Sequence, residues 1–354
     1  MNFKIDAAHI QEAIRVIGRL APPDSGNITI SSNGKKIHIS STSETSRCQI
    51  NLPASVEGKS GAFAISMMAL RDATKGRKEL DMEYSKAMCR IKAGAYKCEL
   101  ATVDTLETEA AAEDKGVKLE FSAEQASWIK SAVNTVALRP TALLASFMPI
   151  AVKLTKKGAF VSCYDVNHMA YLNSDEVTGD MEMKLPLDTL TAVLDAFGGA
   201  AFTLELGRAS VNVGNKLVKV NLSLPQEEEN ELQLADVIET VKAARKAEGQ
   251  PLVIDREELV AFLDNSKAIA TKERSEIKVV VEGGKMKMEV TTVQGSAKAL
   301  LKTKSKNCAF AIDFEYLDEA VRKAGAIVEM KLVKDEFLAI SQKNSTILIS
   351  LNQE

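Results

Sequence analysis

Few side-chain constellations in this sequence could carry chemistry. Cys163 and His168 stand five residues apart and could supply a thiol and a base, but no third group nearby would orient the imidazole. Gly58-Lys59-Ser60 has the ending of a phosphate loop. The glycine such a loop needs five places earlier is Pro53, and strand-like residues leave no room for a helix after Ser60. There is no G-x-G-x-x-G and no H-E-x-x-H. Of the three histidines, His9 falls in a helix first turn and His38 in an alternating strand, both structural or solvated positions. The five cysteines, Cys48, Cys89, Cys98, Cys163 and Cys308, are odd in number and contain no C-x-x-C, which argues against a disulfide framework or a zinc site. Cys89 and Cys98 flank a hairpin and could face each other across it. Carboxylates in helix first turns read as caps, and Trp128, on a helix near Lys130, reads as core. The residues call for no catalysis, no cofactor and no metal.

The elements that must position these residues come in repeats. Six segments share one pattern: alternating apolar residues, a capping residue, then an apolar residue four places on. They are Phe3–Asp6 with Ile10, Phe63–Ser66 with Leu70, Leu119–Ser122 with Ala126, Met183–Pro186 with Leu190, Leu252–Asp255 with Leu259, and Phe310–Asp313 with Leu317. Alternation predicts a half-buried strand, and the Asp or Ser accepts from the open N–H groups of a helix that follows. Ser122 with Gln125 and Asp255 with Glu258 predict capping boxes. Beyond the cap the apolar period changes to about 3.6, as in Ile10, Ala13, Ile14 and Ile17.

Caps lie 60, 64 and 58 residues apart within successive pairs, so the six units form three larger repeats. Each repeat closes in a hairpin, near residues 80–100, 202–222 and 328–351. The predicted fold is α+β: three tandem copies of a duplicated strand–helix domain with antiparallel sheets, over 1–112, 113–240 and 241–354. An acidic run, Glu227-Glu228-Glu229, and a helix from Ala235 to Ala247 end the second. At 354 residues and 45% hydrophobic composition, each domain can bury a core, and a net charge of −3 excludes a globally basic coat protein. The longest nearly uncharged stretch, Pro140–Val152, is too short to span a membrane. Charges within residues 1–20 argue against a signal peptide, and a reducing cytoplasm fits the cysteines.

Six half-units in this order resemble the bacterial-type DNA polymerase sliding clamp, the polymerase III β subunit family, over essentially the whole chain. Cys163-Tyr164-Asp165-Val166-Asn167-His168-Met169-Ala170 is similar to the family segment A-T-D-G-H-R-L-A. Asp165 and Ala170 match; Val166, Asn167, His168 and Met169 replace glycine, histidine, arginine and leucine, which points to a divergent member of the kind a phage or plasmid carries. The resemblance implies a head-to-tail homodimer closing a ring around duplex DNA, with helices lining the hole. It also implies a DNA polymerase and a clamp loader as partners, bound through short linear peptides.

Candidate DNA-facing residues are Arg15, Arg19, Arg71, Lys75, Arg77, Lys130, Arg139, Lys267, Lys272, Arg322 and Lys323. Six helical windows hold fourteen basic and thirteen acidic residues, a small excess of the right sign that dipole complementation on solvated helices explains equally well. By position in the family, the partner-peptide pocket would use Tyr164, Asp165, His168, Met169, Pro225, Ile349 and Leu351. A repeat-built scaffold with no DNA inside is the alternative reading.

Overall fold

The computed structural model describes residues 1–43, 46–57, 60–85, 87–103, 116–138, 148–165, 167–207, 210–215, 218–224, 234–270, 275–324, 329–334 and 336–352. The first repeat runs β1 (Asn2–Asp6), α1 (Ala7–Leu20), β2 (Asn27–Ser32), β3 (Ile37–Thr42), β4 (Ser46–Leu52), β5 (Ser55–Glu57), β6 (Gly61–Ser66), α2 (Met67–Thr74), β7 (Glu79–Ser85), β8 (Met88–Ala93) and β9 (Tyr96–Ala101). The second runs β10 (Val117–Phe121), α3 (Ala123–Val136), β11 (Pro149–Thr155), β12 (Gly158–Tyr164), β13 (His168–Ser174), β14 (Met181–Pro186), α4 (Leu187–Phe197), β15 (Phe202–Leu206), β16 (Ser210–Gly214) and β17 (Val218–Ser223). After α5 (Leu234–Lys246) come β18 (Gln250–Leu252), α6 (Arg256–Ser266), β19 (Glu276–Glu282), β20 (Lys285–Thr292), β21 (Gly295–Lys302), β22 (Cys308–Asp313), α7 (Phe314–Lys323), β23 (Glu329–Val333), β24 (Phe337–Ser341) and β25 (Ser345–Asn352).

The caps sit where the sequence puts them. Asp6 accepts from Ala8 N–H at 2.8 Å, and Asp255 from Glu257 and Glu258 at 2.8 and 3.1 Å. Ser122 and Gln125 bond reciprocally, a full capping box. Ile10, Ala13, Ile14 and Ile17 of α1 are buried, as are Leu190, Val193, Leu194 and Phe197 of α4 and Leu317, Ala320 and Val321 of α7. Helices α2 and α6 end before the candidate residues Lys75, Arg77 and Lys267. In α2, Thr74 Oγ1 turns back to Leu70 O, and Gly76 follows at φ +71°, a conformation that favours glycine. In α6, Ser266 Oγ turns back to Phe262 O in the same way.

The chain divides into two compact units, Met1–Ser127 with Thr191–Gln226, and Trp128–Leu190 with Glu227–Glu354, so the second repeat is shared between them. The first unit carries a five-stranded sheet, β5-β1-β7-β8-β9, and an eight-stranded sheet, β10-β15-β16-β17-β4-β3-β2-β6. The second carries a twelve-stranded sheet whose main path is β14-β11-β12-β13-β25-β22-β19-β20-β21. Each unit therefore contains one junction at which strands from different repeats pair: β17 on β4, and β13 on β25.

The registers of these junctions are equivalent. Count from the strand residue before a helix cap, step two residues along the neighbouring strand, and cross the hairpin. The path Phe121–Phe202, Leu204, Val213 ends on Val220; the third-repeat path through Met330 and Ile340 ends on Ile347. The count on the other side, made without the two-residue step, ends on Cys48 in the first repeat and Ala170 in the second. Val220 lies opposite Cys48, and Ile347 opposite Ala170. Two strands of the same two kinds, β9 and β21, are sheet edges. Neither contains a buried residue, whereas β4, β17, β13 and β25 alternate or run buried.

Candidate functional site

The β12–β13 turn builds a buried polar cluster. Asp165 follows β12 and its Oδ1 accepts from the N–H groups of Asn167 and His168 at 2.7 and 2.8 Å, which fixes the turn. Its Oδ2 accepts from the Tyr316 hydroxyl at 2.8 Å. Tyr316 belongs to the first turn of α7, where the Asp313 cap accepts from its backbone N–H at 3.3 Å. His168 is 2% exposed, and its Nδ1 lies 2.8 Å from Asp165 Oδ2. That approach is an ion-pair distance without hydrogen-bond geometry, so neither ring nitrogen has a hydrogen-bond partner among the described residues. Burial pushes the Asp165 carboxyl up, but contacts with His168, the Asn167 N–H and Tyr316 together outweigh it and hold the group below the usual carboxylate range. Burial, then the Asp165 charge and hydrogen bond, push the Tyr316 phenol up.

Strand alternation separates the candidate pocket residues onto two faces. His168 pairs with Ile349 and Met169 with Leu348. Met169 and Tyr164 are partly buried against a cluster made with α5, whereas His168 and Ile349 point to the opposite face. Ile349 is fully buried and Leu351 is 9% exposed. Pro225 lies outside the described residues. Leu348 and Tyr316 were not among the candidates. Leu348 takes its place from the pairing of β13 with β25, which the alternation along either strand does not specify. Tyr316 meets Asp165 across 151 residues, and no local pattern encodes that meeting.

The basic candidates are engaged in different ways. Arg15 reaches the last turn of α4 and donates to the carbonyls of Asp195 and Ala196 at 2.9 and 2.6 Å, while pairing with Glu12. A guanidinium there meets the negative end of a helix dipole. Arg19 pairs with Asp195 at 2.8 Å, and Arg71 with Asp72 at 3.0 Å. Lys75 is exposed just past α2, and the Arg77 guanidinium lies 3.9 Å from the centre of the Tyr96 ring. Lys130 is half-buried on α3. Arg322 bridges Asp264 and Asp318, and Lys267 lies near the same two carboxylates, which makes a locally neutral network. The Asp318 hydrogen bond, helped by Asp264, pushes the Arg322 pKa up against its partial burial. Lys323 donates to Ala137 O and lies 3.5 Å from Glu319. Arg139 and Lys272 lie outside the described residues.

Cys163 is fully buried on β12, opposite Ala170. Burial pushes the Cys48 and Cys89 thiols up to about 12, which makes them poor nucleophiles. In the first hairpin Cys89 faces Leu100 and Cys98 faces Ile91, so the two cysteines are diagonal rather than opposed. Trp128 is half-buried. Gly58 and Lys59 lie outside the described residues. Among the described residues no cluster of three or more His, Cys, Asp or Glu side chains could hold a metal, and no helix is long and apolar enough to cross a membrane.

Paired strand–helix units joined through shared antiparallel sheets make the fold of the DNA polymerase III β subunit sliding clamps. The β subunit from Thermotoga maritima is similar over 100% of this chain and 99% of its own, with TM-score 0.77 at 13% identity. That from Pseudomonas aeruginosa is similar over the full length of both chains, with TM-score 0.76 at 12% identity. That from Borrelia burgdorferi, determined in complex with a natural product, gives TM-score 0.75 at 14% identity over 100% of this chain and 99% of its own. No protein-family model and no curated protein matches the sequence.

Proposed function

We propose that this chain is a DNA sliding clamp. Two copies join head to tail, close a ring around duplex DNA, and tether the replicative polymerase by topology, with no bond made or broken by the protein. The three repeats, near 1–112, 113–240 and 241–354, are its domains. A clamp loader opens the ring, and the protein works in the cytoplasm. Loose, sequence-independent attraction to phosphates suits a ring that must slide.

The observation that carries this reading is the matched pair of unused edges. Both internal junctions pair one strand of the β4 and β13 kind with one of the β17 and β25 kind, in equivalent register. Strand β21 is of the first kind and β9 of the second, and both are edges without a buried residue. A second copy supplies what each edge lacks, and a head-to-tail contact of this sort either closes or grows into a filament. By the same register count, Cys98 of one copy falls opposite Ala297 of the other.

The test follows from that pair. Directly opposed residues in antiparallel strands have Cα atoms about 4.5–5.5 Å apart, within disulfide range. Ala297→Cys should therefore form disulfide-linked dimers through Cys98 under mild oxidation. Ser296→Cys and Lys298→Cys, which face the other side of the strand, should not, and Cys98→Ser should abolish the link. A ladder of trimers and tetramers would refute closure at two copies, and a stable monomer at micromolar concentration would refute the junction. On primed circular DNA the clamp should raise polymerase processivity once loaded and should be lost when the circle is linearised; no enhancement would favour a scaffold.

A further inference from the structure

Helix α5 is seated on the sheet face that carries Tyr164 and Met169. Val237 and Val241 are fully buried, Ala244 is 8% exposed, and with Ile238 they form one stripe against that face. The opposing surface is Phe160, Tyr164, Met169, Tyr171, Phe337 and Leu348. Lys242, one residue after Val241, holds its ammonium 5.6 Å from the Phe160 ring centre and 5.2 Å from that of Tyr171. Apolar residues at i, i+4 and i+7 with a cation at i+5 make the pattern of a helix lying in a groove.

The mode of attachment makes this helix removable. Its backbone hydrogen bonds are its own, and among the described residues no backbone–backbone bond ties it to the sheet. Side chains alone hold it. The polar ones cluster at its C-terminal end, where Arg245 donates to the carbonyls of Gln342 and Lys343 and Lys331 donates to those of Arg245 and Ala247. A helix of 13 residues has little stability once its apolar stripe is exposed. Unseating and melting are then one local event, anchored at one end, while the strands beneath keep their ladder.

We propose that this sheet face is a receptor for an amphipathic helix, that α5 fills it in cis, and that a partner reaches it only by displacing α5. The partner is a helical segment with β-branched or small apolar residues at i, i+4 and i+7 and a cation at i+5, a copy of α5's own chemistry. This deepens the partner-binding reading of the face and rests on it. The apparent affinity for a partner is the intrinsic affinity multiplied by the fraction of time α5 is away, so loosening α5 strengthens partner binding.

The experiment uses a fluorescein-labelled peptide of residues 234–247 and the full-length protein, read by fluorescence anisotropy. Val241→Asp should bind the peptide at least about 100-fold more tightly than the unaltered chain, because its own helix no longer competes. A peptide carrying aspartate at both valine positions should bind neither. Lys242→Glu, which leaves the apolar stripe intact, should give a smaller gain in the same direction and serves if Val241→Asp fails to fold. Hydrogen exchange on the unaltered chain gives a second readout: α5 amides should exchange faster than those of β12, β13 and β25. A folded variant that does not take up the peptide overturns the proposal, as does an α5 that exchanges only at the rate of those strands. Neither measurement involves DNA or a second copy, so failure of the ring and failure of the helix exchange are read separately.

Discussion

Tyr316→Phe removes one oxygen atom and leaves the packing of a ring that is 2% exposed. That oxygen donates to Asp165 Oδ2 at 2.8 Å. The carboxyl is held below its ordinary pKa, so at neutral pH the bond is made to an anion. A hydrogen bond to a charged group contributes about 1.5–3 kcal/mol. At about 2 kcal/mol the folded-to-unfolded ratio falls about 30-fold, and with a urea dependence of about 2 kcal/mol per molar the midpoint falls by about 1 M. Trp128 is the single tryptophan and belongs to the same compact unit as Asp165 and Tyr316, so its fluorescence reports the right transition. The pH dependence has a definite sign. A carboxyl whose folded pKa is depressed stabilises the fold above its unfolded pKa of about 3.9, and that contribution is lost as pH falls through the folded value. The gap between the unaltered chain and the variant should be full at pH 7 and close below about pH 4. Equal midpoints at pH 7 would refute the bond. A gap that stays constant into acid would assign the effect to packing instead.

Arg15→Met should destabilise the first unit by about 1–2 kcal/mol, since two α4 carbonyls lose a charged donor at a half-exposed site, and Arg15→Lys should restore only part of it in urea unfolding. Reversing Arg71, Lys75 and Arg77 to glutamate should weaken association with closed circular DNA and lower its salt dependence by about 2 in log–log slope, Arg71 being already paired with Asp72; no change in either would mean that this segment does not face the duplex. Reversing Arg322 and Lys267 should do much less to DNA binding, measured in the same titration, because Asp264 and Asp318 already neutralise them. The Ala297→Cys cross-link should still form in 1 M salt, because the proposed junction is a strand ladder more than an ion pair; failure to form there would assign the contact to surface charge.

The sequence by itself determined the repeats. Each strand, cap and helix start is a local event, set by alternation, by an Asp or Ser side chain reaching an open N–H, and by a change of period from two to about 3.6. Residues such as Ile10, Leu190 and Leu317 are therefore legible as core residues from the sequence alone. The division of the second repeat between two sheets, the polar contact of Asp165 with Tyr316, and the engagement of Arg15 by a helix end depended on tertiary structure. So did the seating of α5 over Met169 and Leu348. These depend on which distant segments share a sheet. Strand register carries that information, and register is a property of two strands at once, which a pattern along one of them does not contain.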